Sequence, residues 1–250
     1  MNQLNKWLAG KLGHDGKVAI AMSGGVDSCL LAAVTKSVMG DRCCGVTIQS
    51  EMTIESDVVM ARAVAEEIGI MHTVIQMPLL DDEKIASNMG NRCYYCKQRI
   101  FSTITTIMPG YDVMDGTNAD DDPSRPGRRA AEEFGVMSPL LYCGLGKDEI
   151  RQMAQDYGLS NWDRVSESCL ATRVRLGTAL TANGLDRVQL MEGFFHKQGV
   201  SSLRVYHDNL MVTVVYLPQY EEIIDKSRDG FAAFVKEIGL LSCEFKEYAE

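Results

Sequence analysis

Ser23-Gly24-Gly25-Val26-Asp27-Ser28 brings two glycines, two hydroxyls and a carboxylate together in six residues. Adjacent glycines let the backbone turn tightly, and the N–H groups of such a turn and of a following helix's first turn converge where an anion can sit. Ser23 and Ser28 can add hydroxyl donors. Asp27 would repel a phosphate unless a magnesium ion bridges the two or the carboxylate caps the helix. The stretch fits neither G-x-x-x-x-G-K-[ST] nor G-x-G-x-x-G. Further along, Cys93 and Cys96 stand with two residues between them in "NRCYYCKQR", and Cys169 stands in "SCLATR". Such thiols can be structural, metal-binding or chemically active.

The elements around these residues decide what they can do. "KVAIAM" (17–22) is a short apolar run ending in "SGG", and Asp27 to Met39 turns helical: strand, tight Gly turn, helix. The pattern repeats through "CCGVTIQS", a helix from about Glu55 to Gly69, "MHTVIQMP", further helical segments and "YDVMDGTN". Strands alternating with helices of this length indicate a parallel sheet covered on both faces, with ligands beyond the carboxyl ends of its strands. The "SGG" and "DGTN" turns are both at that edge, so Gly116 and Thr117 become candidates for contact with a nucleotide. After Trp162 a helix from about Thr181 to Gln198 precedes "SSLRVYH", "LMVTVVYL", a helix near Tyr220 to Ile238, and "LSCEFKEY". This β-β-α-β order predicts a smaller mixed α/β C-terminal domain. The expected division is 1–165 and 166–250.

Composition narrows the class. With 25 basic and 34 acidic residues the net charge is −9, and the cations are scattered. That argues against a nucleic-acid partner and fits a small anionic ligand held by a few arginines. No apolar run approaches the roughly 18 residues of a membrane helix, and the N-terminal stretch lacks a signal peptide's apolar core, so a cytoplasmic protein is expected. Eight cysteines in such a chain stay reduced. Cys29, Cys43, Cys44 and Cys143 sit among apolar or small residues and read as core, as does Cys243.

Cys93 and Cys96, at i and i+3, share one side of an amphipathic helix whose Ile100, Phe101, Ile104 and Ile107 are expected to face the core. Arg92, Lys97 and the helix N-terminus supply positive potential there, the environment in which thiolates bind metal or attack. With no second pair, a closed four-cysteine zinc site would have to borrow ligands. Three cysteines suit an iron–sulfur cluster with an open iron better, while zinc, a redox dithiol and inert core remain alternatives.

The loop in its strand-turn-helix setting resembles the PP-loop of ATP pyrophosphatases, which cleave ATP between its α and β phosphates. That resemblance implies the adenine nucleotide alpha hydrolase-like fold, with Ser23, Gly24, Gly25, Val26, Asp27 and Ser28 binding ATP and Mg2+. "RCYYCK", "DGTNADD", "RPGRRAAEEFGVMSPL", "GLGKDEIR", "WDR" followed by "CLATR", and "LRVYH" then resemble, in order and spacing, the LarE family over roughly residues 15–215. These are PP-loop sulfurtransferases that install sulfur on pyridinium-biscarboxylate mononucleotide, precursor of the nickel-pincer cofactor of lactate racemase. The resemblance implies adenylation of a substrate carboxylate and attack by a cysteine sulfur, with Asp27 and Cys169 as catalytic residues. In members with one cysteine, C–S cleavage leaves dehydroalanine. Members carrying C-x-x-C are held to bind a [4Fe-4S] cluster through three cysteines, here Cys93, Cys96 and Cys169. Arg173 and Arg204 match positions implied to contact substrate phosphate, and a homo-oligomer, a hexamer, is implied as well.

The chain departs from the family where "CLASR" is usually followed by isoleucine, proline, tyrosine and glycine; it has "VRLG" (174–177). A PP-loop tRNA-thiolating enzyme would need a basic surface or an RNA-binding appendage, and neither is visible. An amide-forming synthetase of the NAD or GMP type would not need three cysteines. A nucleotide- or cluster-binding sensor would release no pyrophosphate.

Overall fold

The computed structural model describes residues 3–11, 15–165, 167–208 and 210–248. In chain order the elements are α1 (Gln3–Lys11), β1 (Val18–Ala21), α2 (Val26–Met39), β2 (Cys43–Gln49), α3 (Glu55–Glu67), β3 (Met71–Gln76), α4 (Glu83–Ala86), α5 (Arg92–Ile107), β4 (Asp112–Met114), α6 (Pro126–Glu133), α7 (Pro139–Tyr142), α8 (Lys147–Asp156), α9 (Ala182–His196), β5 (Leu203–His207), β6 (Met211–Tyr216), α10 (Glu221–Glu237) and β7 (Ser242–Glu247). Among the described residues no helix is long and apolar enough to cross a membrane.

They pack as two compact units. The first holds the residues up to Pro78 together with Asn91–Glu167. Its four strands are all parallel in the order β3-β2-β1-β4. Successive β-α-β steps carry the chain from β1 outward to β3, and β4 then returns to the other side of β1. That reversal opens a crevice between the carboxyl ends of β1 and β4, the place where such sheets bind ligands. Met137 extends the sheet by one parallel bridge beside Met114. Helix α2 is buried at ten of its 14 positions, so it is held from all sides and presents its N-terminus rigidly at the crevice.

Helix α5 follows its amphipathic pattern at Phe101 and Ile104, both fully buried. Ile107 departs from it: as the last helical residue, before the chain turns at Met108, it is 41% exposed. Cys29, Cys43, Cys44 and Cys143 are buried as read, and Cys243 is half-buried in β7.

The second unit consists of Leu79–Gly90 and the residues from Ser168 on. Strands β5 and β6 form an antiparallel pair, and α10 makes the crossover to β7, which lies parallel to β6. Phe194, Phe195, Phe231, Phe234 and Phe245 pack against one another, Phe194 stacked on Phe234 and the other pairs edge-on or tilted. Residue 166, where the expected C-terminal domain opens, lies outside the described residues. The segment Leu79–Gly90, which a linear division leaves in the first domain, packs in the second because Asn88 ties it there. Asn88 is fully buried at φ +54°, a left-handed conformation that Asn tolerates better than most residues. Its amide donates to the carbonyls of Val174 (3.3 Å), Arg175 (3.0 Å) and Thr178 (3.0 Å). Backbone bonds Gly177 N to Asn88 O and Leu180 N to Ala86 O complete the seam. Asn88→Gly, which keeps the backbone angle but strips the donors from three carbonyls, is expected to cost about 2–4 kcal/mol. Asn88→Ala should cost roughly 1 kcal/mol more, from the strained φ. Denaturant unfolding of both variants would check the order, and equal or negligible losses would sink it.

Candidate active site

The phosphate-loop residues sit where β1 gives way to α2. Gly24 has φ +82°, and a Cβ there would lie 2.1 Å from the Asp57 carbonyl oxygen, so the loop can pass the start of α3 only as glycine. Asn161, 1% exposed, donates through Nδ2 to the Gly24 carbonyl (3.1 Å) from 137 residues away. Arg164 grips Asp57 Oδ1 (2.7 Å) and the Ser56 hydroxyl (3.1 Å), fixing the wall against which Gly24 rests. The Ser23 amide donates to Ser28 Oγ (3.1 Å), and the Ser28 hydroxyl donates to the Gly25 carbonyl (3.1 Å). The loop thus closes on itself around the N-terminus of α2, with Gly25 as its N-cap.

The turn after β4 meets this loop. A Cβ on Gly116 would lie 2.7 Å from Ser28 N, so the glycine lets the two turns touch. Asp115 is buried and anchors its own turn, accepting from Ser138 Oγ (2.7 Å), Thr117 Oγ1 (2.9 Å) and Thr117 N (3.2 Å). Asn118 Nδ2 reaches Asp27 Oδ2 (3.4 Å). Lys147 makes an ion pair with the same oxygen, while Asp27 Oδ1 is buried with no hydrogen-bond partner. Lys147 opens α8, whose N-terminus is fastened by Asp120 accepting from Lys147 N (2.6 Å) and Glu149 accepting from Gly146 N (3.0 Å). Lys147 and Asn118, absent from the sequence reading as site residues, therefore complete the surroundings of Asp27. Their only local signal was the Gly-Lys start of a helix in "GLGKDEIR" and the Asn after a strand-ending Asp-Gly-Thr.

Cys93 and Cys96 lie in the first turns of α5, Cys93 exposed and Cys96 half-buried. Arg92 Nη2 points at Cys93 Sγ (3.7 Å). Lys97 does not share that role; its ammonium lies over the Phe101 ring, 5.2 Å from the centroid, one helical turn on. The helix is clamped to α6: Arg129 stacks over the Tyr94 ring at 3.6 Å, and the Tyr94 hydroxyl donates to Glu133 (2.7 Å).

In the second unit Cys169 caps a 3-10 turn, Leu170–Arg173, with its residue exposed and its backbone locked. Its carbonyl accepts from Thr172 Oγ1 (2.8 Å), Thr172 N (3.0 Å) and Arg173 Nη1 (3.4 Å). Arg173 was expected at a substrate phosphate; in this structure it is 0% exposed and turned inward. Its guanidinium pairs with Glu192 Oε1 (3.0 Å) and holds the Ser168 hydroxyl (2.7 Å) and carbonyl. Glu192 Oε1 also accepts from Val205 N (3.1 Å), so one buried carboxylate joins the Cys169 turn, α9 and β5. Arg204, next along β5, is half-buried on the face opposite Val205. His207 is buried and its Nε2 meets the Gly184 carbonyl (3.1 Å); burial pushes its pKa below the usual histidine value, so it donates as a neutral imidazole.

Burial sorts the thiols. It raises Cys29 and Cys43 to about 11 and also pushes up Cys44, Cys143 and Cys243, which keeps all five protonated and poor ligands. The thiols left for a metal or a nucleophile are Cys93, Cys96 and Cys169. Two of them share one helix and the third belongs to the other unit; among the described residues no three His, Cys, Asp or Glu side chains are grouped to hold a metal ion.

A parallel sheet with S-G-G-x-D-S at its switch point defines a PP-loop α/β protein. The NAD synthase family model matches residues 1–91, the stretch containing that loop. An uncharacterized protein of Synechocystis is 34% identical over 207 residues, 81% of this chain and 77% of its own length. The pyridinium-3,5-bisthiocarboxylic acid mononucleotide synthase of Lactiplantibacillus plantarum is 30% identical over 200 residues, 78% of this chain and 72% of its own. A tRNA-specific 2-thiouridylase of Zymomonas mobilis is 33% identical over 188 residues, but these span only 58% of this chain and 50% of the relative. The chain belongs to the LarE family, that of the Lactiplantibacillus synthase.

Proposed function

We propose that this protein is an ATP-dependent sulfurtransferase that adenylates a carboxylate of pyridinium-biscarboxylate mononucleotide and replaces the adenylate with sulfur. The observation that carries the reading is the pairing, in one chain, of a closed phosphate loop with an exposed cysteine on a locked turn. The loop N–H groups from Gly24 onward and the N-terminus of α2 receive the phosphates of magnesium-bound ATP. Asp27 Oδ1, buried without a partner, is an acceptor suited to that bridging cation. Lys147 and Asn118 hold the other oxygen, and the Lys147 ammonium stands ready to balance charge as pyrophosphate departs. Gly116 and Thr117 form the far wall of the nucleotide crevice.

Once the carboxylate is an acyl-adenylate, the Cys169 thiolate attacks its carbonyl carbon. A C–S bond forms, the C–O bond to AMP breaks, and a thioester results. Arg204 on β5 is the cation suited to the mononucleotide phosphate, whereas Arg173 acts by holding the cysteine turn. Breaking the Cys169 Cβ–Sγ bond with loss of the α-proton would release a thiocarboxylate and leave dehydroalanine. Cys93, Cys96 and Cys169 are the thiols that would hold a [4Fe-4S] cluster, although among the described residues no three such side chains are grouped to hold a metal; bound, it would supply a replaceable sulfide and spare Cys169 its own sulfur.

The test is an anaerobic preparation assayed for iron and acid-labile sulfide, then for pyrophosphate release and intact mass after turnover with ATP and the mononucleotide. Pyrophosphate release with a new thiocarboxylate is expected. A cluster with unchanged protein mass marks catalytic transfer, and loss of the elements of hydrogen sulfide marks sacrifice of Cys169. Tight, salt-sensitive tRNA binding without turnover of the mononucleotide would replace this reading by tRNA thiolation.

A further inference from the structure

The phosphate loop leaves the sheet at Met22. Strands β1 and β2 pair up to Ala21 opposite Val46, and the ladder goes one step further as Met22 N donates to Val46 O at 2.9 Å. The Met22 carbonyl, the last acceptor before Ser23, is met by a side chain: Thr47 Oγ1 of β2 donates to it at 2.7 Å. Thr47 is 2% exposed, so this bond has no competing water. A threonine hydroxyl carries one proton. With that proton on Met22 O, the other close contact of Thr47 Oγ1, His72 Nε2 at 2.8 Å, has to be one in which the imidazole donates. The Met22 carbonyl, which can only accept, thus draws the hydroxyl proton, and His72 supports that orientation by donating from Nε2 to the same oxygen.

Three strands contribute to this chain of bonds, and a glycine makes room for it. Gly45 lies opposite His72 in the β2–β3 register. A Cβ on Gly45 would come within 2.4 Å of Met22 Sδ and 3.1 Å of His72 Cδ2. The bare glycine lets the ring and the Met22 side chain close over β2 beside Thr47. Gly45 stands in the middle of an otherwise well-filled strand, where glycine weakens pairing unless another group has to approach.

We infer that Thr47, oriented by His72, is a positioning residue for the phosphate loop: it fixes the carbonyl at which the loop departs and so the direction of the Ser23 to Gly25 N–H groups. The catalytic consequence rests on the reading of this loop as the ATP site; the structural part does not. Thr47→Val keeps shape and burial but strips the hydroxyl from both Met22 O and His72 Nε2, and Thr47→Ser restores it.

Hydrogen exchange of the ligand-free full chain, followed in the peptide covering residues 22–28, should quicken in Thr47→Val and return to the wild-type rate in Thr47→Ser. KM for ATP in pyrophosphate release should rise about tenfold in Thr47→Val with kcat little changed, again restored by serine. His72→Phe should produce a smaller shift and add nothing on top of Thr47→Val, because both act through one chain of bonds. Wild-type exchange in residues 22–28 of Thr47→Val, or a serine variant as impaired as valine, overturns the inference. Wild-type protein that releases no pyrophosphate would count against the ATP reading alone, and the exchange rates would still decide whether Thr47 positions the loop.

Discussion

Gly24→Ala is expected to lose nearly all affinity for magnesium-bound ATP while the protein still folds. Two independent obstacles coincide at this residue. Its φ of +82° is a region that alanine enters only under strain, and the new methyl would lie 2.1 Å from the Asp57 carbonyl oxygen. The wall cannot easily give way, because Asp57 is held by Arg164 and the Gly24 carbonyl by Asn161. The loop must therefore shift by about 1 Å or more, and a misplacement of that size costs on the order of 100-fold in a preorganised site. Gly25→Ala is the control. Gly25 has φ −73° and its nearest obstacle is Ser23 Oγ at 3.4 Å, so alanine fits and binding should fall by only a few fold. Calorimetric titration with ATP and magnesium would check both. Equal affinities in the two variants would mean that phosphates bind elsewhere.

Cys169→Ala is expected to abolish sulfur transfer, by at least about 10³-fold, and to leave pyrophosphate release from ATP and the carboxylate acceptor close to wild type. The separation follows from structure. In the proposed reaction adenylation would draw on the loop and Asp27, which belong to the first unit, whereas Cys169 stands on a turn of the second. That turn is held through the Cys169 carbonyl and the buried Arg173–Glu192 pair, neither of which the substitution touches. Product analysis by mass spectrometry, together with a pyrophosphate assay, reads the two half-reactions separately. Thiocarboxylate formation by Cys169→Ala at more than a trace would remove this cysteine from the sulfur path.

Much of the nucleotide half was legible because its signals are local. An apolar run, two glycines and a helix appear within 23 residues, and the parallel order of the strands places the SGG and DGTN turns at one edge. The thiols were legible by neighbourhood: those among apolar residues are buried, and Cys93 and Cys169 are exposed. What sequence did not yield depends on partners far away in the chain. Lys147 meets Asp27 across 120 residues, and Asn161 meets Gly24 across 137. Arg173 looked like a phosphate ligand because an arginine's inward or outward choice is made by its partner, here Glu192, whose role nothing nearby announces. Lys97 was drawn to Phe101 rather than to the thiols, a choice between two neighbours at helical spacing that only packing decides.

The excursion of Leu79–Gly90 into the second unit changes how this protein can be taken apart. A single break after Glu167 does not free two whole modules. The amino-terminal piece keeps a twelve-residue strap that belongs to the other unit, and the carboxyl-terminal piece loses the segment that donates into its 174–180 loop. Two such pieces made separately have a built-in reason to recombine, since capture of the strap through Asn88 repairs the second module. The break point between the cysteine pair and Cys169 is thus a natural place for a split protein whose reassembly can be switched by one asparagine.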